Sequence, residues 1–117
     1  DSTVLEPAAR KAEKIIRDRS GRCSYSIIPG PSFPSFTPNA HTDALFSRYA
    51  ACARGKGIPA FPVKRGGASD SSYVADLFPC LDGLGPEGGG FHTKEEWASL
   101  NSFQIKADIA ADFINSL

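Results

Sequence analysis

Residues 65–96, RGGASDSSYVADLFPCLDGLGPEGGGFHTKEE, decide how this chain is read. They contain two glycine-rich turns. Gly66-Gly67-Ala68-Ser69-Asp70 leads from an apolar extended run into a short helical segment. Gly83-Leu84-Gly85-Pro86-Glu87-Gly88-Gly89-Gly90 leads from a second extended run to a single histidine, His92. Backbone so rich in glycine is either flexible or held in conformations that a Cβ disfavours. Both loops follow strand-like segments, and in open α/β sheets ligands sit beyond the strand ends. The functional site is expected here.

Upstream, Leu5, Ala8, Ala9, Ala12, Ile15 and Ile16 recur at helical spacing. Pro7 suits a first turn and Gly21 a stop, which predicts a helix over residues 6–19. Residues 23–28, CSYSII, read as a short strand ended by Pro29-Gly30-Pro31. Residues 31–38, PSFPSFTP, form a rigid loop presenting Phe33 and Phe36. Thr37 and Pro38 fit an N-cap and first turn. The helix that follows carries Leu45, Phe46, Tyr49, Cys52 and Ala53 on one face and stops at Gly55. Residues 58–63, IPAFPV, are extended, but two prolines argue against a long central strand.

Farther on, Ser69 or Asp70 can cap a helix over 71–77, and residues 79–82 are strand-like. A final helix over 102–116, with Asn101 as cap, places Phe103, Ala107, Ala110, Ile114 and Leu117 on one face. Such alternation of helix and strand favours an α/β layer with a mainly parallel sheet. The pause at 29–38 is the one candidate boundary. The piece before it, one helix and one strand, is too small to close a core.

Bulk properties narrow the function. At 117 residues and 41% hydrophobic content the chain is about one small domain. A formal charge of zero gives no drive toward nucleic acid or an anionic membrane. No apolar run reaches the roughly 20 residues needed to span a bilayer, and no secretory signal pattern is visible. Cys23, Cys52 and Cys80 are odd in number and widely spaced, so reduced, partly buried thiols in a cytoplasmic protein are expected rather than a disulfide framework or a cysteine zinc knuckle. The absence of methionine points to processing or to a piece of a longer chain.

His92 is the strongest chemical candidate, since neutral imidazole is a common zinc ligand and general base. A lone histidine is more often a packed or surface residue; the GPEGGG run before it raises its standing. Asp70 reads first as a helix cap. Alternatively the 66–70 turn cradles a carboxylate or other anion with its backbone N–H groups. Glu96, four residues after His92, either accepts a hydrogen bond near the ligand loop or faces water at a helix start. His41, Asp82 and Glu87 lack convergent partners and read as solvated or capping residues. Ser69, Ser71 and Ser72 lack a nucleophile elbow, and there is no Walker loop and no HExxH. A catalytic zinc needs three or more protein ligands. This chain is not expected to build such a site by itself.

The combination GGASDSSYVADLFPCLDGLGPEGGGFHTKEEW resembles the C-terminal end of the zinc carboxypeptidase/deacylase family that includes glutamate carboxypeptidase, acetylornithine deacetylase and succinyl-diaminopimelate desuccinylase. The matching elements are the GG-x-SD turn at 66–70, Pro79-Cys80-Leu81-Asp82-Gly83-Leu84-Gly85, Gly89-Gly90-Phe91-His92, Glu96 and the terminal amphipathic helix. The glutamate carboxypeptidase-like branch is the most similar. The resemblance implies the C-terminal portion of a three-layer αβα, phosphorylase/hydrolase-like catalytic domain over 31–117, preceded over 1–30 by a remnant of an α+β lid domain. It implies that His92 is the last ligand to one of two zincs, with cobalt or manganese as substitutes. Gly67, Ala68 and Ser69 would line the substrate site, while Asp70 and Glu96 would hold structural places beside it. Ala68 departs from the Gly or Ser frequent at that point. The other ligands and the general-base glutamate come from an N-terminal part not seen here, so no catalytic residue is assigned within the chain.

Two functions are thereby set against each other. One is a fragment of a two-zinc amidohydrolase, inactive alone, whose parent is a homodimer through its lid and cleaves N-acyl amino acids or small peptides, with no role for nucleic acid or membrane. The other is a non-catalytic binding or assembly module with Phe33 and Phe36 as contacts.

Overall fold

The computed structural model describes residues 2–19, 21, 23–28 and 30–117. Its elements run in the order α1 (Ser2–Arg19), α2 (Ala40–Gly55), a single 3-10 turn (Asp70–Tyr73), β1 (Gly88–Gly89), β2 (Trp97–Ala98) and α3 (Leu100–Asn115). The described part is helix-rich with one small sheet, compatible with an α/β fragment.

The core is the seam between α2 and α3. Tyr49 and Ala53 of α2 bury against Ile109 and Phe113 of α3, and Leu45, Cys52, Ile58, Ala60, Leu81, Leu84 and Ile105 pack around them. Local chemistry sets the helix ends. Asn39, with extended backbone, accepts hydrogen bonds from the N–H groups of His41 (2.9 Å) and Thr42 (3.1 Å) and so caps α2. At the other end Gly57 adopts φ +76°, while its N–H bonds to the carbonyl of Arg54 and that of Ile58 to Ala53. This is the Schellman arrangement, completed by the apolar contact of Ile58 with the core. Two polar ties lie across the seam. Lys56 Nζ meets Asp112 Oδ2 at 2.8 Å, and an Arg48 guanidinium N–H donates to the carbonyl of Ser116 at 2.6 Å.

Several expectations are corrected. The cap of α2 is Asn39 rather than Thr37, because Asn39 is the residue whose side-chain oxygen reaches the first free N–H groups; the helix does stop at Gly55, and the left-handed residue beyond it is Gly57. Helix α1 begins four residues before the expected start at residue 6, which leaves Pro7 inside it. Residues 23–28 and 79–82 form no strand, since no neighbouring strand is there to pair with them among the described residues. Pro29, expected to end the first of these, lies outside the described residues. The one ladder among the described residues is antiparallel, Gly88 facing Ala98 and Gly89 facing Trp97, and not the parallel sheet that the element alternation favoured. The helix expected over 71–77 is one 3-10 turn followed by hydrogen-bonded turns to Leu77.

The largest departure concerns α3. Its cap is Ser99, whose side chain accepts from the N–H of Ser102, and not Asn101. The face turned to α2 is Ile105, Ile109 and Phe113. The expected core stripe is mostly exposed, with Phe103 at 51%, Ile114 at 66% and Leu117 at 65%. A helix apolar on two faces is built to be covered on both.

Helix α1 packs on no other helix or strand among the described residues. Its one face lies beside the extended chain that follows. Glu13 and Arg17 line an open groove with Cys23–Ile27, and Leu5 and Ala9 line another with Phe33 and Pro34. The radius of gyration is 19.4 Å, against about 13 Å for a compact chain of this length. No helix is long and apolar enough to cross a membrane among the described residues.

Candidate functional site

The 66–70 turn and the His92 loop are both built locally. Gly66 and Gly67 form a bend. Ser69 then takes extended backbone (φ −139°, ψ 148°) and its hydroxyl oxygen accepts from the N–H of Ser71 at 3.2 Å. Ser69 is thus the cap; Asp70 is the first residue of the 3-10 turn and is exposed. Ser72 is buried, and its N–H bonds to the carbonyl of Ser69 at 2.9 Å. Tyr73 tethers this turn to the proline-rich loop: its hydroxyl donates to the carbonyl of Ser32 at 3.3 Å, and its ring meets Phe33 at 5.1 Å. Phe33 is therefore committed within the chain, although 45% exposed.

His92 stands at the tip of the hairpin β1–β2. The three glycines before it lie in close approach to the returning chain. A Cβ on Gly88 would stand 2.5 Å from the carbonyl oxygen of Trp97, one on Gly89 2.9 Å from the indole Nε1 of Trp97, and one on Gly90 2.6 Å from the carbonyl oxygen of Glu95. Only a bare backbone lets the return strand and its indole lie so near. The chain then turns through Phe91 and His92, and the N–H of Thr93 closes on the carbonyl of Gly90 at 3.0 Å. His92 has φ +62°, the one non-glycine residue with positive φ among those described. Its side chain is exposed.

The hairpin is fastened at its base to α3. The N–H of Ser99 donates to the carbonyl of Glu87 at 2.8 Å. The buried hydroxyl of Ser102 accepts from the N–H of Glu87 at 2.9 Å and donates to the carbonyl of Ser99 at 2.7 Å. A left-handed histidine on a turn so held is presented at a fixed place. Strained backbone of this kind clusters at functional sites.

Glu96 is exposed and directly precedes β2, so it lies in the hairpin return and not at a helix start. Its N–H closes a second turn on the carbonyl of Thr93 at 3.4 Å. The 3-10 turn and the hairpin strands make no contact with one another. Each candidate element is formed, and the described residues do not assemble them into one pocket. Of the cysteines, Cys23 is exposed rather than partly buried, while Cys52 and Cys80 are half-buried; all three are free thiols.

A metal fits this site only in part. One imidazole on a rigid exposed turn suits a single ligand position. No group of three or more His, Cys, Asp or Glu able to hold a metal ion exists among the described residues. The chain supplies one ligand and does not make a centre.

Sequence reading missed the hairpin, the role of Thr93 in its turn, and the packing of Trp97 on Gly89. A glycine facing an aromatic across two strands is the signal that could have found the pairing.

The chain matches the model of peptidase family M20/M25/M40 over residues 4–116, and it belongs to that family. The family is one of metallopeptidases and is generally metal-dependent. No curated protein matches the chain, and no solved structure does.

Proposed function

We propose that the chain is the C-terminal part of a two-zinc amidohydrolase of the carboxypeptidase/deacylase type, acting on N-acyl amino acids or small peptides, and that it is inactive alone. In this reading residues 31–117 belong to a three-layer αβα catalytic domain and residues 1–30 to a lid through which the parent dimerises. His92 donates one ligand to one metal; cobalt or manganese could replace zinc there. Gly67, Ala68 and Ser69 line the substrate site, with Asp70 and Glu96 in structural places beside it. The metals supply activation of water and polarisation of the amide carbonyl. The parent works in the cytoplasm, without nucleic acid or membrane.

The observation that carries this reading is the backbone of His92. A left-handed φ of +62° at a residue with a Cβ, on a turn walled by three glycines, is a costly way to place a surface histidine. Family membership supplies the class of chemistry. The two apolar faces of α3 support a larger body, since only one is covered. A non-catalytic binding module would have no use for His92 in this conformation, and Phe33 is already engaged with Tyr73.

The test is metal content. The longer polypeptide should carry about two zincs per chain, with loss at one site in His92→Ala, and the 117-residue chain should carry none. A longer polypeptide that binds no metal, or binds it equally after His92→Ala, overturns the reading.

A further inference from the structure

We propose that Thr93 is a positioning residue, its hydroxyl locking the turn that holds His92 in left-handed backbone. This rests on the reading of His92 as the functional group. Residues 90–93 have the sign pattern of a type II turn: the carbonyl of Gly90 receives the N–H of Thr93, and the third residue has positive φ. That third place ordinarily belongs to Gly or Asn. Here it is His92, whose Cβ makes positive φ uncommon, though histidine adopts it more readily than most residues.

Thr93 supplies what holds it. The carbonyl oxygen of Gly90 receives two donors from this one residue, the N–H at 3.0 Å and Oγ1 at 2.7 Å. Oγ1 in turn accepts from the N–H of Glu95 at 3.2 Å, which draws the next turn onto the first. The hydroxyl thus joins the residue before the corner to the strand returning from it. Glu95 is also the residue whose carbonyl closes over Gly90, so both sides of the corner are fixed through one side chain. Without the hydroxyl, two backbone hydrogen bonds remain, Thr93 N–H to Gly90 and the longer Glu96 N–H to Thr93, and both bonds made by Oγ1 are lost. His92 would then relax toward negative φ, and its ring would leave the place where the hairpin presents it.

Nuclear magnetic resonance of the labelled 117-residue chain tests this without reference to activity. Cross-relaxation between the amide and α protons of residue 92 is strong at positive φ. Thr93→Val keeps the branched shape and removes the hydroxyl; it should reduce that signal to the level of neighbouring residues. Thr93→Ser should retain it, and the resonances of Ile109 and Phe113 in the core should stay in place in both variants. Retention of the signal in Thr93→Val, or its loss in Thr93→Ser, overturns the proposal. Amide exchange in the unaltered chain is a second measurement: the Glu95 N–H should exchange more slowly than that of Lys94, and equal rates overturn the proposal. Failure of His92→Ala to change metal content in the longer polypeptide would instead overturn what His92 does, leaving intact the finding of what holds it.

Discussion

Tyr49 and Phe113 meet edge to face, ring centres 5.6 Å apart and planes at 83°, at the centre of the α2–α3 seam. Tyr49 is 2% exposed and its hydroxyl is buried without a hydrogen-bond partner among the described residues. The rings stabilise the seam; the hydroxyl does not. Tyr49→Phe should therefore leave stability unchanged or raise it by about 1 kcal/mol, the cost of an unsatisfied buried hydroxyl. Phe113→Ala should lower it by about 3–5 kcal/mol. Urea unfolding followed by circular dichroism reads both, and a destabilised Tyr49→Phe would show that the hydroxyl has a partner.

At position 92 the usual order of glycine and alanine should reverse relative to a helix. Because φ is +62°, His92→Gly should be more stable than His92→Ala by about 1 kcal/mol. Thermal melting of the two variants side by side gives the difference. Equal stabilities would mean that the turn relaxes once the imidazole is gone.

Glycines 88 and 89 should differ in their tolerance. At Gly88 an added Cβ meets backbone, the carbonyl of Trp97; at Gly89 it meets the indole, which is 58% exposed and can swing away. Gly88→Ala should open the hairpin, whereas Gly89→Ala should move the ring alone. Trp97 is the single tryptophan, so its fluorescence reports on both. A red shift is expected in each, and loss of the slow-exchanging Ser99 amide only in Gly88→Ala.

The uncovered face of α3 predicts a dependence on context. Phe103→Lys and Ile114→Lys sit at 51% and 66% exposure and should change the stability of this chain by no more than about 0.5 kcal/mol. In the longer polypeptide proposed above, the same changes should each cost about 1.5–3 kcal/mol, the value of burying such a side chain. Equal effects in both settings would mean that nothing covers this face.

Lys56 gives a pH dependence with a definite sign. The hydrogen bond that the Lys56 ammonium donates to Asp112, then the charge of that carboxylate, raises it above its ordinary 10.5. A pKa raised on folding stabilises while the group is protonated in both states. The contribution is thus present below pH 10.5 and is lost as pH climbs through the folded-state value. It is small and salt-screened, because the pair is exposed. Asp112→Asn should flatten the alkaline limb of a stability profile and leave the neutral region nearly unchanged. An unaltered limb would assign it to other groups.

The helices were legible in the sequence and their partners were not. Tyr49 and Ala53 lie on the α2 face that periodicity marked. On α3, periodicity marked Phe103, Ala107, Ala110, Ile114 and Leu117, while Ile105, Ile109 and Phe113 are the residues packed on α2. Both stripes are apolar, and spacing alone cannot say which one meets which neighbour. The strands expected at 23–28 and 79–82 failed for a related reason, since a strand needs a second strand and local pattern does not supply one. His92 and the 66–70 turn were found from composition because glycine reports backbone need directly. The left-handed φ of His92 was not, because it follows from closure of the turn by Gly90 and Thr93.

Ser102 gives the molecule a mechanical property. Its buried hydroxyl pins the base of the hairpin to the first turn of α3, so the two cannot part without breaking a buried hydrogen bond. The turn that carries His92 is thereby tied, through two hydrogen bonds of one side chain, to the helix whose second apolar stripe stands open.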